Sequence, residues 1–177
     1  MKSLQQYRIP YTGLKLGVHK FQFDVDDAFF NEFEYSLVKS GKLKVDLEFE
    51  KQETLLILQF RISGEIKCSC DVCLADYPFE IHIEERQIAK FTNDANLEDD
   101  TEEIIVLTKN DHEIDVSALI YEYINLAVPY ISRCKDEVNT TWCDKGMIAK
   151  LDQLSGKSEQ ETDNADPRWE TLKNIKK

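Results

Sequence analysis

The sequence of 177 residues has no apolar run approaching the roughly 20 residues a membrane-spanning helix needs; its densest, LLIL at 55–58, has the length of a strand. The opening MKSLQQYRIPYTG has no apolar stretch of signal-peptide length, which places the protein, by expectation, in a reducing cytosol. Five cysteines in that compartment argue against a disulfide scaffold, and an odd count cannot pair completely. The six glycines are scattered singly, so no glycine-rich loop is available to cradle a phosphate. His19, His82 and His112 lie far apart, with no serine or cysteine elbow around them. His19 flanks the strand VHKFQFDV and His112 a polar turn, and both read as surface histidines. Carboxylates are so abundant that no pair stands out as an acid–base couple. These absences point to a protein that is not an enzyme and takes no small-molecule substrate. Positive charge is also short: 22 Lys and Arg stand against 34 Asp and Glu, a net charge of −12. A field of that sign repels a phosphate backbone, which argues against direct nucleic-acid binding and for basic protein partners.

Strand patterns fill the first hundred residues. In LKVDLEF (43–49), Leu43, Val45, Leu47 and Phe49 alternate with Lys44, Asp46 and Glu48, as in a half-buried strand. LILQFRI (56–62) puts Leu56, Leu58, Phe60 and Ile62 on one face, and the polar KQET between the two runs reads as a hairpin tip. FEIHIEE (79–85) alternates Phe79, Ile81 and Ile83 with Glu80, His82 and Glu84. Two helices interrupt the strands. Asp26 is placed to cap DDAFFNEFEYSL, whose Phe29, Phe30, Phe33 and Leu37 share a stripe. DVSALIYEYINLAVP starts at Asp115, carries Val116, Leu119, Ile120, Tyr123, Ile124, Ala127 and Val128 at helical spacing, and stops at Pro129. The expected fold is α+β: a curved antiparallel sheet, open or closing toward a barrel, with the 116–128 helix packed on its apolar face.

The domain expectation is a single α+β unit over 1–155, an acidic linker over 156–165, and a short C-terminal helix over 166–177. Asp166 and Pro167 give that helix a cap and a first residue, and Trp169 and Leu172 share a face. Asp166, Pro167, Arg168 and Trp169 form a candidate partner-binding anchor, with docking of the same helix on the protein's own core as the alternative. NDANLEDDTEE (93–103) carries six acidic residues and reads as a solvated loop, its spacing matching no calcium-binding hand.

The chemistry-bearing stretch is IKCSCDVCLADYPFEI, residues 66–81. Cys70 and Cys73 have the spacing that lets two thiolates grip one tetrahedral zinc from a tight turn. A closed site needs two more ligands, and Cys134 with Cys143 is the available second pair. Cys68 is then spare, and His82 is an alternative ligand. A redox pair fits less well, because Pro78 leads into a strand rather than a helix and Asp71 between the thiols raises their pKa. Zinc and bare packed thiols both remain open on these residues.

The ordered set of Gly64-Glu65-Ile66, Cys70-Asp71-Val72-Cys73-Leu74, Glu113-Ile114-Asp115 before a helix ending at Pro129, and the closing Asp166-Pro167-Arg168-Trp169 resembles the YceD family. These are the large ribosomal RNA subunit accumulation proteins, and the resemblance runs over almost the whole chain. It implies a cytoplasmic bacterial, non-enzymatic factor supporting 23S ribosomal RNA accumulation. Its partner would be a ribosomal protein or a large-subunit maturation factor, reached through protein contacts. Many members carry a second cysteine pair close to Cys-x-x-Cys, and arginine between the first pair. This chain has Cys134 and Cys143 farther apart and Val72 in the arginine's place. A zinc-handling module using Cys70, Cys73, Cys134 and Cys143 is the alternative function, and a thiol oxidoreductase the third class.

Overall fold

The alternation in the first half of the chain becomes one long meander. The computed structural model describes residues 3–92, 104–108, 110–134 and 140–155. Strands β1 (Arg8–Ile9), β2 (Gly17–Val25), β3 (Gly41–Lys51), β4 (Leu55–Ser69), β5 (Asp76–Phe91), β6 (Ile104–Leu107) and β7 (Ile114–Asp115) are joined by helices α1 (Asp27–Asn31) and α2 (Ser117–Leu126). The main sheet has the order β2-β3-β4-β5-β6. Leu43, Val45, Leu47 and Phe49 of β3 and Leu56, Leu58, Phe60 and Ile62 of β4 are all buried. They face one another in register, for example Leu47 with Phe60 and Phe49 with Leu58. Each such side chain contributes about 1.5–3 kcal/mol on burial, so a one-residue slip that turned the row to water would forfeit the core. The expected hairpin tip is the short connection between Lys51 and Leu55, closed by the Gln52 N–H donating to the Leu55 carbonyl (3.0 Å).

The sheet is open and mixed rather than closing toward a barrel. Strands β2 and β6 form its edges, and β6 runs parallel to β5, with Ile88 opposite Ile104. A parallel neighbour cannot be reached by a tight hairpin, and the acidic stretch 93–103 that connects the two lies outside the described residues.

Asp26 caps α1 as expected, accepting from the N–H groups of Ala28 and Phe29. The helix is shorter than its apolar stripe suggests, ending at Asn31 and leaving Leu37 75% exposed. The Asp27 carboxylate accepts from the Ser40 hydroxyl (2.8 Å) and the Gly41 N–H (3.0 Å). The chain must therefore return to the head of the helix within a dozen residues, and no room is left for further turns. Helix α2 packs on the sheet as expected. Val116, Ile120 and Ile124 are fully buried. The Tyr123 ring meets Phe60 edge-on at 5.4 Å, and its hydroxyl donates to Gln87. Asp115 opens the helix by accepting from the Ser117 N–H and hydroxyl. The N-terminal segment pins this end: β1 pairs with β7, and the Val116 N–H donates to the Tyr7 carbonyl.

The chain divides into two compact units, 1–143 and 144–177. Helix α3 (Lys145–Leu154), in the second, was not assigned from sequence; Asp144 caps it, accepting from Gly146 and Met147. The expected linker and C-terminal helix at 156–177 lie outside the described residues. Among the described residues, no helix is long and apolar enough to cross a membrane.

One backbone position controls the end of the sheet nearest the cysteines. Gly64 in β4 has φ +148, and a Cβ there would lie 2.2 Å from the Lys42 carbonyl oxygen and 2.8 Å from Leu43 Cα. Only glycine takes that conformation without strain, and only glycine admits β3 so closely. Gly64→Ala is expected to lower unfolding stability by about 2–4 kcal/mol in denaturant titration. Gly13→Ala, where a Cβ meets nothing within 4 Å, should change it by less than about 1 kcal/mol. Equal effects at both positions would refute the assignment.

Candidate metal centre

Strand β4 ends at Ser69, and the chain reverses before β5 begins at Asp76. The reversal is built from local hydrogen bonds. The Leu74 N–H donates to the Cys70 carbonyl (2.9 Å), and the Cys70 N–H to the Ala75 carbonyl (2.9 Å). Leu74 takes the left-handed conformation, φ 60. Curled in this way, the turn aims the N–H groups of Val72 (3.4 Å) and Cys73 (3.5 Å) at Cys70 Sγ. The C-x-x-C spacing thus brings both sulfurs to one side while supplying backbone donors to the first.

Cys134 arrives from the other side. Its Sγ lies 3.6 Å from Cys73 Sγ, and the sulfurs of Cys70, Cys73 and Cys134 all lie within 4.8 Å of one another. All three residues are buried, at 1–2% exposure. Zinc–sulfur bonds of about 2.3 Å at tetrahedral angles set neighbouring sulfurs roughly 3.8 Å apart, so this donor set fits a soft four-coordinate ion. Cys143, the fourth expected ligand, is half-buried and is not in that three-sulfur group, although its thiol bears electrostatically on that of Cys134. No disulfide joins the five cysteines. Cys68 is buried on β4 opposite Tyr77 and is not in the three-sulfur group. His82, the alternative ligand, instead lies exposed on β5 opposite Ser63 and lines a surface groove.

What carries Cys134 to the turn is Asp71, held to the Ser132 segment. Asp71 does not act on the thiols. Its N–H donates to the Ser132 carbonyl (2.8 Å), and its carboxylate accepts from the Ser132 N–H (2.7 Å). Two hydrogen bonds, one of them charge-assisted, therefore clamp the 132 segment to the cysteine turn. A carboxylate between two cysteines, followed by a chain segment that needs anchoring, is the only signal the sequence offered for this clamp.

The expectation that Asp71 raises the thiol pKa is corrected accordingly. Burial pushes the Cys70 thiol up, but the N–H groups of Cys73, Cys134 and Val72 outweigh it and bring the value to about 6. Cys134 moves far up, first through burial and then through the thiols of Cys143, Cys73 and Cys70. Cys70 therefore forms a thiolate readily and Cys134 resists forming one, a contrast that a bound cation would relieve. The depressed pKa of Cys70 is a property redox thiols share. Here, though, the thiol is 2% exposed and the turn runs into a strand rather than a helix.

Asp166, Pro167, Arg168 and Trp169 lie outside the described residues. Residues 58–176 match the family described as large ribosomal RNA subunit accumulation protein YceD. The match takes in the cysteine turn, Cys134, Cys143 and the closing Asp-Pro-Arg-Trp. No curated protein and no solved structure matches the chain.

Removing the clamp should loosen the second cysteine segment. Asp71→Ala is expected to cost about 1–3 kcal/mol and to speed alkylation of Cys134; unchanged stability together with unchanged alkylation would refute the clamp. A folded pKa below the unfolded one stabilises above the unfolded value, and that contribution is lost as pH falls through the folded value. Stability of the reduced, metal-free protein should therefore rise from pH 6 toward the ordinary thiol range of about 8.5, and Cys70→Ser should flatten that rise. Parallel pH profiles for the two proteins would contradict it.

Proposed function

Since the chain belongs to the YceD family, we propose that it supports accumulation of large-subunit 23S ribosomal RNA as a non-enzymatic cytoplasmic factor acting through protein contacts. The family match over 58–176 carries this reading. The net charge of −12 supports the choice of partner, because it opposes broad contact with ribosomal RNA and favours a basic ribosomal protein or a large-subunit maturation factor. Asp166, Pro167, Arg168 and Trp169, inside the matched span, are proposed to contribute a second contact.

Within this reading, Cys70, Cys73, Cys134 and Cys143 would hold zinc. The ion would supply a structural cross-link between the β4–β5 turn and the 132–143 segment, with no catalytic step. The three buried sulfurs support a closed structural site over one that hands metal to another protein, since transfer needs access to the ligands.

Two measurements test the proposal. Gradient fractionation of a tagged full-length chain should place it with precursor large subunits, and deletion of its gene should lower 23S ribosomal RNA. Migration only with free protein, with normal rRNA in the deletion strain, would overturn the function. Metal analysis of protein purified under reducing conditions should give about one zinc per chain, and Cys73→Ser should lose the metal and several kcal/mol of stability. A content well below one would remove zinc from the proposal and leave the rRNA role standing.

A further inference from the structure

The end of the sheet that carries the cysteine turn also carries two adjacent grooves that share lining residues. One, of about 470 Å³, has Ile66, Tyr77, Pro78 and Trp142 among its lining residues. Ile66 and Tyr77 form a buried floor, whereas Trp142 is 50% exposed. Trp142 directly precedes Cys143, so this wall stands on the segment that carries the cysteine. It shares Lys42 and Glu65 with the second groove, of about 640 Å³, which also holds Asp24, Asp26, Glu80 and Lys44. An apolar recess with an aromatic wall thus lies beside a groove carrying more carboxylates than lysines. At the apolar recess, Lys67 and Asp76 already neutralise each other at 2.9 Å.

The sheet's charge register singles out the same place. Across its antiparallel strands, Lys20 lies opposite Glu48, Asp24 opposite Lys44, Lys42 opposite Glu65, Asp46 opposite Arg61, and Arg61 opposite Glu84. All of these pairs are of opposite sign. Glu65 opposite Glu80 is the one like-charged pair among the described residues. Directly opposed like charges destabilise a sheet, and Lys42 opposite Glu65 answers only one of the two, which leaves Glu80 with no basic residue opposite it in the sheet. Both carboxylates line the second groove.

We propose that these adjacent grooves are the docking site for an extended basic segment of a protein partner, which seats one bulky apolar side chain against Trp142 and Pro78 and lays lysine or arginine across Glu65 and Glu80. This names the contact surface for the protein-binding role above and rests on that reading. The apolar recess supplies the anchor that gives affinity, and the carboxylates select against acidic or phosphate-bearing competitors.

The test uses the full chain and follows the anisotropy of labelled peptide. Three synthetic peptides of about nine residues are titrated at about 0.15 M salt: lysine- and arginine-rich with a central leucine, the same with central glycine, and the leucine peptide with glutamate at every basic position. The first should bind saturably, the second at least about tenfold more weakly, and the third not at all. Glu80→Gln should weaken the first peptide several-fold while holding or raising Tm, because it relieves the like-charged pair; Trp142→Ala should weaken it about tenfold. The proposal is overturned if no peptide binds up to about 1 mM, if the leucine and glycine peptides bind alike, or if Glu80→Gln leaves binding unchanged. Displacement of the peptide by a single-stranded RNA oligonucleotide of similar length would overturn it in favour of a nucleic-acid site. These results are independent of rRNA levels in a deletion strain, so failure of the groove and failure of the proposed function are separable.

Discussion

The pairing of β4 with β5 is the constraint on which the remaining structure depends. Every residue from Leu55 to Ser69 has a partner between Asp76 and Lys90. Strands of 15 and 16 residues are far longer than the usual five or six, and such a hairpin accumulates a large twist. Its middle carries the apolar face on which α2 packs. Its closed end must reverse direction between Ser69 and Asp76, and that reversal is the cysteine turn. The metal-type cluster is therefore the chemistry of the hairpin's tip, and its position follows from the register. Gly64 allows β3 to follow the twist by giving way where the Lys42 carbonyl approaches.

Much of this was legible because periodicity is a local signal. Leu43 to Phe49 and Leu56 to Ile62 announced their faces by alternation, Asp26 announced a cap, and the apolar spacing of α2 announced its buried side. What the sequence concealed depends on groups distant along the chain. Helix α1 ends early because Asp27 binds Ser40 and Gly41, a tertiary demand that helical periodicity cannot express. The parallel placement of β6 leaves no turn signature, since its connection is not a hairpin. Helix α3 does have a local signature, since Asp144 precedes Met147, Ile148 and Leu151 at helical spacing.

The candidate site was half legible for the same reason. Cys70 and Cys73 sit in one turn, and their spacing alone implies convergent sulfurs. Cys134 reaches them only because Asp71 and Ser132 exchange two hydrogen bonds across 61 residues of chain. Reading Asp71 through its charge, as a neighbour of thiols, gave the wrong sign for Cys70. The backbone N–H groups that lower that pKa have no side-chain signature, and they can be anticipated only from the turn geometry that a C-x-x-C segment adopts.

This backbone origin is compatible with Val72 between the two cysteines and with the wide spacing of Cys134 and Cys143. An arginine between the cysteines would add positive charge beside the sulfurs, and Val72 cannot. The donors that hold Cys70 as a thiolate are instead the N–H groups of Cys73, Cys134 and Val72 itself, so the residue type at 72 is free to vary without removing them. The wide spacing of Cys134 and Cys143 likewise deprives the second pair of a self-contained turn. Such a turn normally fixes its own orientation through internal hydrogen bonds. Here the orientation is imposed from outside, by the clamp between Asp71 and Ser132 two residues before Cys134. A tight second knuckle is therefore not required to bring Cys134 to the first pair, because the first turn supplies both its own sulfurs and the bracket on which the Ser132 segment hangs.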